Sequence, residues 1–234
     1  MSSFASLGTV LLGGLLVASF QLPLGTLLLL YHSSLGKNVR KRTRSLASAY
    51  ISGACLLNFL LLGTLCFLVS SLSFAGTLST TALSVVFGIL LALAVLSWAV
   101  YYKRGTTTEL WIPRTLSNFL TRRAKTASET SESFSLGMLA SLSEIIFSFS
   151  VYLLVADAIL RLSPTYQALS LVGFTVLSVL PLLALRIVLR SGRNIAEVQR
   201  WRLKNKSFFR IFLGLAFLVL AFFLLAFTIL GGRS

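Results

Sequence analysis

Glu144 is one of only six acidic residues in the chain, and it stands in the middle of a long apolar run. If the run 134–160 crosses a bilayer, this carboxyl lies close to the midplane. An ionised carboxylate is expensive there, so it must meet water, a polar partner or its own proton. Two chemistries follow. It is either a proton-coupling or cation-contacting group at a polar interface, or a protonated acid hydrogen-bonded across helices as packing glue. Ser141, Ser143, Ser148 and Ser150 surround it and are read first as packing residues.

Three further features bear on the same chemistry. Gln21 belongs to Gln21-Leu22-Pro23 in an earlier apolar run, and Pro23 removes a helix donor and frees carbonyls nearby. Pro181 repeats the feature in a later run. Broken backbone beside a midplane polar group is a recurring way to build a transport site, although a proline kink also serves structure alone. Asn58 is central in the run 47–72 and completes a candidate cluster of Gln21, Asn58 and Glu144, or else makes an ordinary interhelical hydrogen bond.

Other reactive types carry less. Asp157 and Arg161 have the i,i+4 spacing of a helical ion pair and are assigned to structure. His32 has no second His or Cys nearby, so it is a poor metal ligand. Cys55 and Cys66 share one helix face but stand about 16 Å apart along it, too far to bond each other. There is no phosphate-cradling glycine loop, metal-ligand cluster or nucleophile elbow. No catalytic residue, metal or cofactor is assigned, and an enzyme is not expected.

The elements that must hold these residues are set by charge and length. Nineteen of the 21 Lys and Arg residues fall in 37–44, 103–125 and 186–210. Between and around them lie six apolar runs, at 5–31, 47–72, 77–102, 134–160, 166–189 and 208–230. Each is long enough for a hydrocarbon core of roughly 30 Å. Basic clusters stay on the cytoplasmic side, which requires even numbers of crossings between them and leaves both termini outside. With 56% hydrophobic and 12% charged residues a soluble globule is excluded. The net charge of +15 points to anionic lipid headgroups and not to nucleic acid, because the basic stretches are short loops between spans. The first apolar run is too long for a signal peptide and is read as an uncleaved first helix.

Two inner connections carry more than tethers. In 109–125, Pro113 is suited to open a helix whose Leu116, Phe119 and Leu120 share a side, followed by Arg122, Arg123 and Lys125. A helix lying on the membrane surface is expected. The segment 193–206 is similar, with Trp201 as interfacial anchor. The halves also echo one another: Gly14–Gln21 reads GLLVASFQ and Gly137–Glu144 reads GMLASLSE, while Phe87-Gly88-Ile89-Leu90 parallels Leu213-Gly214-Leu215-Ala216. Two three-span halves insert in opposite directions, as an inverted repeat does.

With two triplets, the kinked Gln21-Leu22-Pro23 span, its counterpart in span four and a last span opening Phe208-Phe209-Arg210-Ile211-Phe212-Leu213-Gly214, the chain resembles the lysine-exporter-like superfamily. That group includes the transmembrane domain of the DsbD and CcdA thiol carriers and several metal-ion exporters. The resemblance covers nearly the whole chain, chiefly as layout. It departs at one decisive place: where thiol carriers hold cysteines beside proline, this chain has Gln21 and Glu144. A thiol relay needs two sulfurs within bonding reach, so electron carriage is not expected.

The expectation is an all-α polytopic membrane protein with six transmembrane helices in two inverted three-helix repeats, N-out and C-out. Residues 1–102 form the first repeat, 103–133 a basic cytoplasmic linker and 134–234 the second repeat. The resemblance implies secondary transport, with export of a small solute or ion expected and Glu144, Gln21 and Asn58 at the site. The alternative is a non-transporting membrane subunit or scaffold docking partners through its basic loops. The bilayer is the expected partner, a homo-oligomer or protein partner stays open, and a bacterial plasma membrane is the expected location.

Overall fold

A computed structural model of the chain describes residues 3–20, 22–33, 39–73, 76–99, 114–190 and 195–226. All regular structure among them is helical: α1 (Ser3–Ala18), α2 (Leu22–Ser33), α3 (Val39–Leu72), α4 (Thr80–Ala99), α5 (Arg114–Thr126), α6 (Thr130–Leu142), α7 (Ile145–Leu160), α8 (Pro164–Arg190), α9 (Ile195–Lys204) and α10 (Lys206–Leu224). Four stretches, Arg44–Leu72, Thr80–Trp98, Pro164–Val188 and Ser207–Leu224, are long and apolar enough to cross a bilayer alone. Two bent pairs raise the number to six if each is one span: α1 with α2, bent by 44°, and α6 with α7, bent by 77°. Large apolar side chains such as Phe67, Val85, Ile146, Leu169 and Ile187 point outward. A surface of that kind suits lipid, and the chain is a multi-pass membrane protein.

The runs 5–31 and 134–160 each form two helices where the sequence predicts one. The reason is local in both. Ser143 Oγ donates to the Leu139 carbonyl at 2.6 Å, and Ser148 Oγ to the Glu144 carbonyl at 3.0 Å. Serine hydroxyls bonding back to the preceding turn bend helices. Glu144 then sits at φ −92° and ψ −2°, a turn conformation, and its N–H reaches the Ser141 carbonyl in a tightened turn. At the first break Ser19 Oγ donates likewise to the Leu15 carbonyl at 2.7 Å. Pro23 stands in the first turn of α2, where its missing N–H leaves no gap in the ladder. By contrast α8 continues as helix through Pro181.

The helices touch in a definite pattern. The α6–α7 pair packs on α3, and α1 packs on α8. α1 meets α10, and α4 meets α7. α1 also meets α7, α3 meets α8 and α4 meets α10. Directions follow from the contacts. Ser133 Oγ donates to the Leu46 carbonyl at 2.7 Å, Gly137 lies on the Tyr50 carbonyl and Tyr152 bonds to Asn58, so α6 and α7 run parallel to α3. Gly13 lies near Phe174 and Gly14 near Leu177, which places the glycine pair of α1 against α8.

Within lipid, apolar burial drives helices together weakly, and close backbone packing takes over. The α3–α6 crossing shows it. A Cβ on Gly53 would strike the Phe134 carbonyl group, and one on Gly137 the Tyr50 carbonyl group. Only residues without a side chain allow that approach.

α5 packs against α2 and α6. Leu120 and Ala124 are buried while Phe119, Arg122 and Arg123 are exposed, with the Arg123 guanidinium 5.7 Å from the Phe119 ring centre. This is the sidedness of an interfacial helix. Pro113 and the side chain of Leu116 lie outside the described residues. Trp201 of α9 is exposed and meets the Phe209 ring edge-on at 5.7 Å.

Candidate functional site

The two breaks meet α3 and α8 around one small cavity of about 20 Å³. That is room for roughly one water molecule. Its wall includes Ala18 and Pro23 flanking the first break, Glu144 and Ser148 at the second, Asn58 from α3 and Pro181 from α8. Asn58, Glu144, Pro23 and Pro181 are therefore neighbours in space, although they are spread over most of the sequence. Gln21 lies outside the described residues, as does the side chain of His32.

Glu144 is 4% exposed, and its side chain is engaged within the protein. Its placement at the second break aims the carboxyl inward between the bundle's helices. Tyr50 and Tyr152 both lie close enough to interact electrostatically with it.

Asn58 ties three helices together. Its Oδ1 accepts from the Tyr152 hydroxyl of α7 at 3.0 Å, and its Nδ2 donates to Ser178 Oγ of α8 at 2.9 Å. Ser178 passes its own hydrogen to the Thr175 carbonyl at 2.8 Å. Tyr152 is fixed further by the edge of Phe174, with ring centres 5.3 Å apart. Beside this chain, the hydroxyls of Tyr50 and Thr26 each donate to the Pro23 carbonyl at 3.1 Å and touch one another. α3 thus holds the first break, through Tyr50, and both α7 and α8, through Asn58.

Tyr152, Ser178 and Tyr50 escape a reading of the sequence. A signal was present for Tyr152, the only tyrosine in 134–160: buried tyrosine hydroxyls find partners, and a midplane position makes one obligatory. Ser178 carried no comparable signal among so many serines. Of the serines around Glu144, Ser141 and Ser148 line the cavity. Ser143 is spent on the bend, and Ser150 is buried with no hydrogen-bond partner for its hydroxyl among the described residues.

The second acid of the run 134–160 behaves differently. Asp157 is 1% exposed and accepts from Arg161 Nε at 2.8 Å and Nη2 at 3.2 Å. It also accepts from the backbone N–H of Leu78 at 2.7 Å, which pins the α3–α4 connection to α7. The cysteines are both free, on α3. Among the described residues no three of His, Cys, Asp and Glu gather as a metal site would require.

No protein-family model, curated protein or solved structure matches this chain.

Proposed function

We infer that the chain is a secondary transporter that exports a small solute or ion, with Glu144 as the coupling or binding carboxylate and Asn58 and Gln21 orienting the cargo. One observation carries this reading: a buried acid opens on a polar cavity at the meeting point of two broken spans and two further helices. Unwound segments facing a cavity at mid-depth are how membrane carriers expose ligating groups without exposing backbone to lipid.

Two inverted triplets, α1–α4 and α6–α10, are supported by the pairing of contacts. If span one corresponds to span four, two to five and three to six, the α1–α8 contact has its mate in α6–α7 with α3. The α1–α10 contact has its mate in α4–α7, and the α1–α7, α2–α6, α3–α8 and α4–α10 contacts join corresponding spans. The aligned Gly14 and Gly137 each abut the second span of the opposite triplet, at Leu177 and Tyr50. Rocking of one triplet on the other would carry the cavity from one side to the other. Membership of the lysine-exporter-like superfamily, a bacterial plasma membrane and the N-out, C-out orientation belong to the same proposal. They rest on layout and on the inner placement of the basic clusters.

The test is solute and ion flux in proteoliposomes containing the whole chain, wild type against Glu144→Gln, at several pH values. Flux is expected to fall by about tenfold or more and to lose its pH dependence, the loss of one transition-state or binding contact of roughly 1.4 kcal/mol or greater. Unchanged flux at every pH would remove the reading. A second reading, a membrane subunit that docks partners through its basic inner loops, draws on the small size of the cavity, about 20 Å³. Stable co-purification of a partner with no intrinsic flux would favour it.

A further inference from the structure

We propose that the outward side of α5 binds the headgroup of one anionic phospholipid, with its phosphate on the guanidinium groups of Arg122 and Arg123. The proposal does not depend on transport. It goes beyond a general attraction of basic loops to the bilayer by assigning one lipid to one recess.

Phe119, Arg122, Arg123 and Thr126 line a surface recess of about 360 Å³. That is within the roughly 300–1,000 Å³ of small-ligand sites. Their spacing of i, i+3, i+4 and i+7 puts all four on one side of the helix. Leu120, Ala124 and Ala127 are buried and lie about a third of a turn away. α5 therefore turns one side to the protein, where it meets α2 and α6, and the recess side outward.

The charge of this side is positive. α5 carries four basic residues and no acid. Arg123 Nη1 reaches Glu132 Oε1 at 3.3 Å, an exposed pair that offsets one charge from α6. Arg122 is exposed and has no ion pair among the described residues. Thr126 Oγ1 lies 3.2 and 3.3 Å from the Arg122 and Arg123 carbonyls, so its hydrogen stays within the helix. The donors that a guest meets are the two guanidinium forks, whose planar geometry matches phosphate oxygens in pairs.

Phe119 and the position of α5 identify the guest. The ring is 45% exposed and lies 5.7 Å from the Arg123 guanidinium. An exposed aromatic ring beside paired cations suits a molecule with an anionic head and a hydrocarbon tail. Free phosphate would leave the ring in water. Residues 127–129 alone join α5 to α6, and α6 opens a bent pair apolar enough to cross a bilayer. The recess is thereby held at headgroup level, where phospholipid is the most concentrated anion.

The experiment is thermal unfolding of the purified full chain in neutral detergent, titrated with phosphatidylglycerol or with phosphatidylcholine of the same acyl chains. A ligand bound by the folded state alone raises the melting temperature saturably. Phosphatidylglycerol is expected to do so and phosphatidylcholine is not. Arg122→Gln is expected to raise the half-saturating concentration about fivefold. Lys125→Gln removes the same charge from another side of α5 and is expected to change it less than about twofold. Arg122→Lys keeps the charge but loses the fork, and an increase of about twofold or more keeps the test open if Arg122→Gln does not fold. Equal stabilisation by the two lipids would overturn the proposal, as would equal weakening by Arg122→Gln and Lys125→Gln, the mark of diffuse charge. Stabilisation by inorganic phosphate, a polyglutamate peptide or a single-stranded oligonucleotide that matches phosphatidylglycerol at equal charge would also overturn it.

Discussion

Asp157 and Glu144 are the two acids inside the spans, and their surroundings divide their roles. Asp157 has three donors on its two oxygens, so it is structural. Asp157→Asn keeps the shape and one acceptor but removes the charge that Arg161 answers. It is expected to cost about 1–3 kcal/mol, the range for a buried hydrogen bond to a charged group. An unchanged melting temperature would contradict that assignment. The Arg161 partner was legible from the i,i+4 spacing, because a helix brings such residues together whatever surrounds it. Leu78 was not, since its N–H arrives from a connection 79 positions away in sequence. Asn58 was legible as a polar residue needing a partner at the midplane. Its partners Tyr152 and Ser178, 94 and 120 positions away, depend on which helices pack together.

At the scale of elements, apolar length and basic boundaries are enough to locate the spans, because crossing a bilayer demands about 20 apolar residues whatever the fold. The breaks inside spans one and four are harder to read. Glu144 and Pro23 marked their neighbourhoods, but the ends of α1 and α6 come from serine hydroxyls competing for carbonyls, and serine does this at many places without ending a helix. The α3–α6 crossing yields a direct test. Gly137→Ala places a methyl against the Tyr50 backbone and is expected to destabilise by about 1–3 kcal/mol, the usual cost of overpacking. Gly63→Ala, in the same α3 but with nothing within 4 Å of the added carbon, is expected to be neutral or to stabilise by up to about 1 kcal/mol. Equal melting temperatures for the two variants would mean that close backbone approach does not hold these helices.

For the whole molecule, orientation is the property that charge alone predicts. In a Cys55→Ser, Cys66→Ser background, Ser79→Cys and Ser163→Cys lie on the side opposite the basic clusters, whereas Ser128→Cys and Glu197→Cys lie on the clusters' side. A membrane-impermeant thiol reagent added to intact cells is expected to label the first pair and spare the second. The opposite pattern would invert the topology, and labelling of all four would contradict a six-span arrangement.

Hydropathy and the placement of Lys and Arg were sufficient for a helical, multi-pass membrane protein, since the bilayer imposes those demands on every chain that crosses it. They were also sufficient to single out Glu144, because an acid in hydrocarbon is conspicuous in any fold. The tertiary structure decided the rest. It gathered Asn58, Pro23, Pro181 and Glu144 around one water-sized space, spent the surrounding hydroxyl hydrogens on protein acceptors, and supplied Tyr50, Tyr152 and Ser178. Such details depend on which faces of separate helices meet. In lipid that choice is made by close packing and interhelical hydrogen bonds, neither of which leaves a periodic trace along the chain.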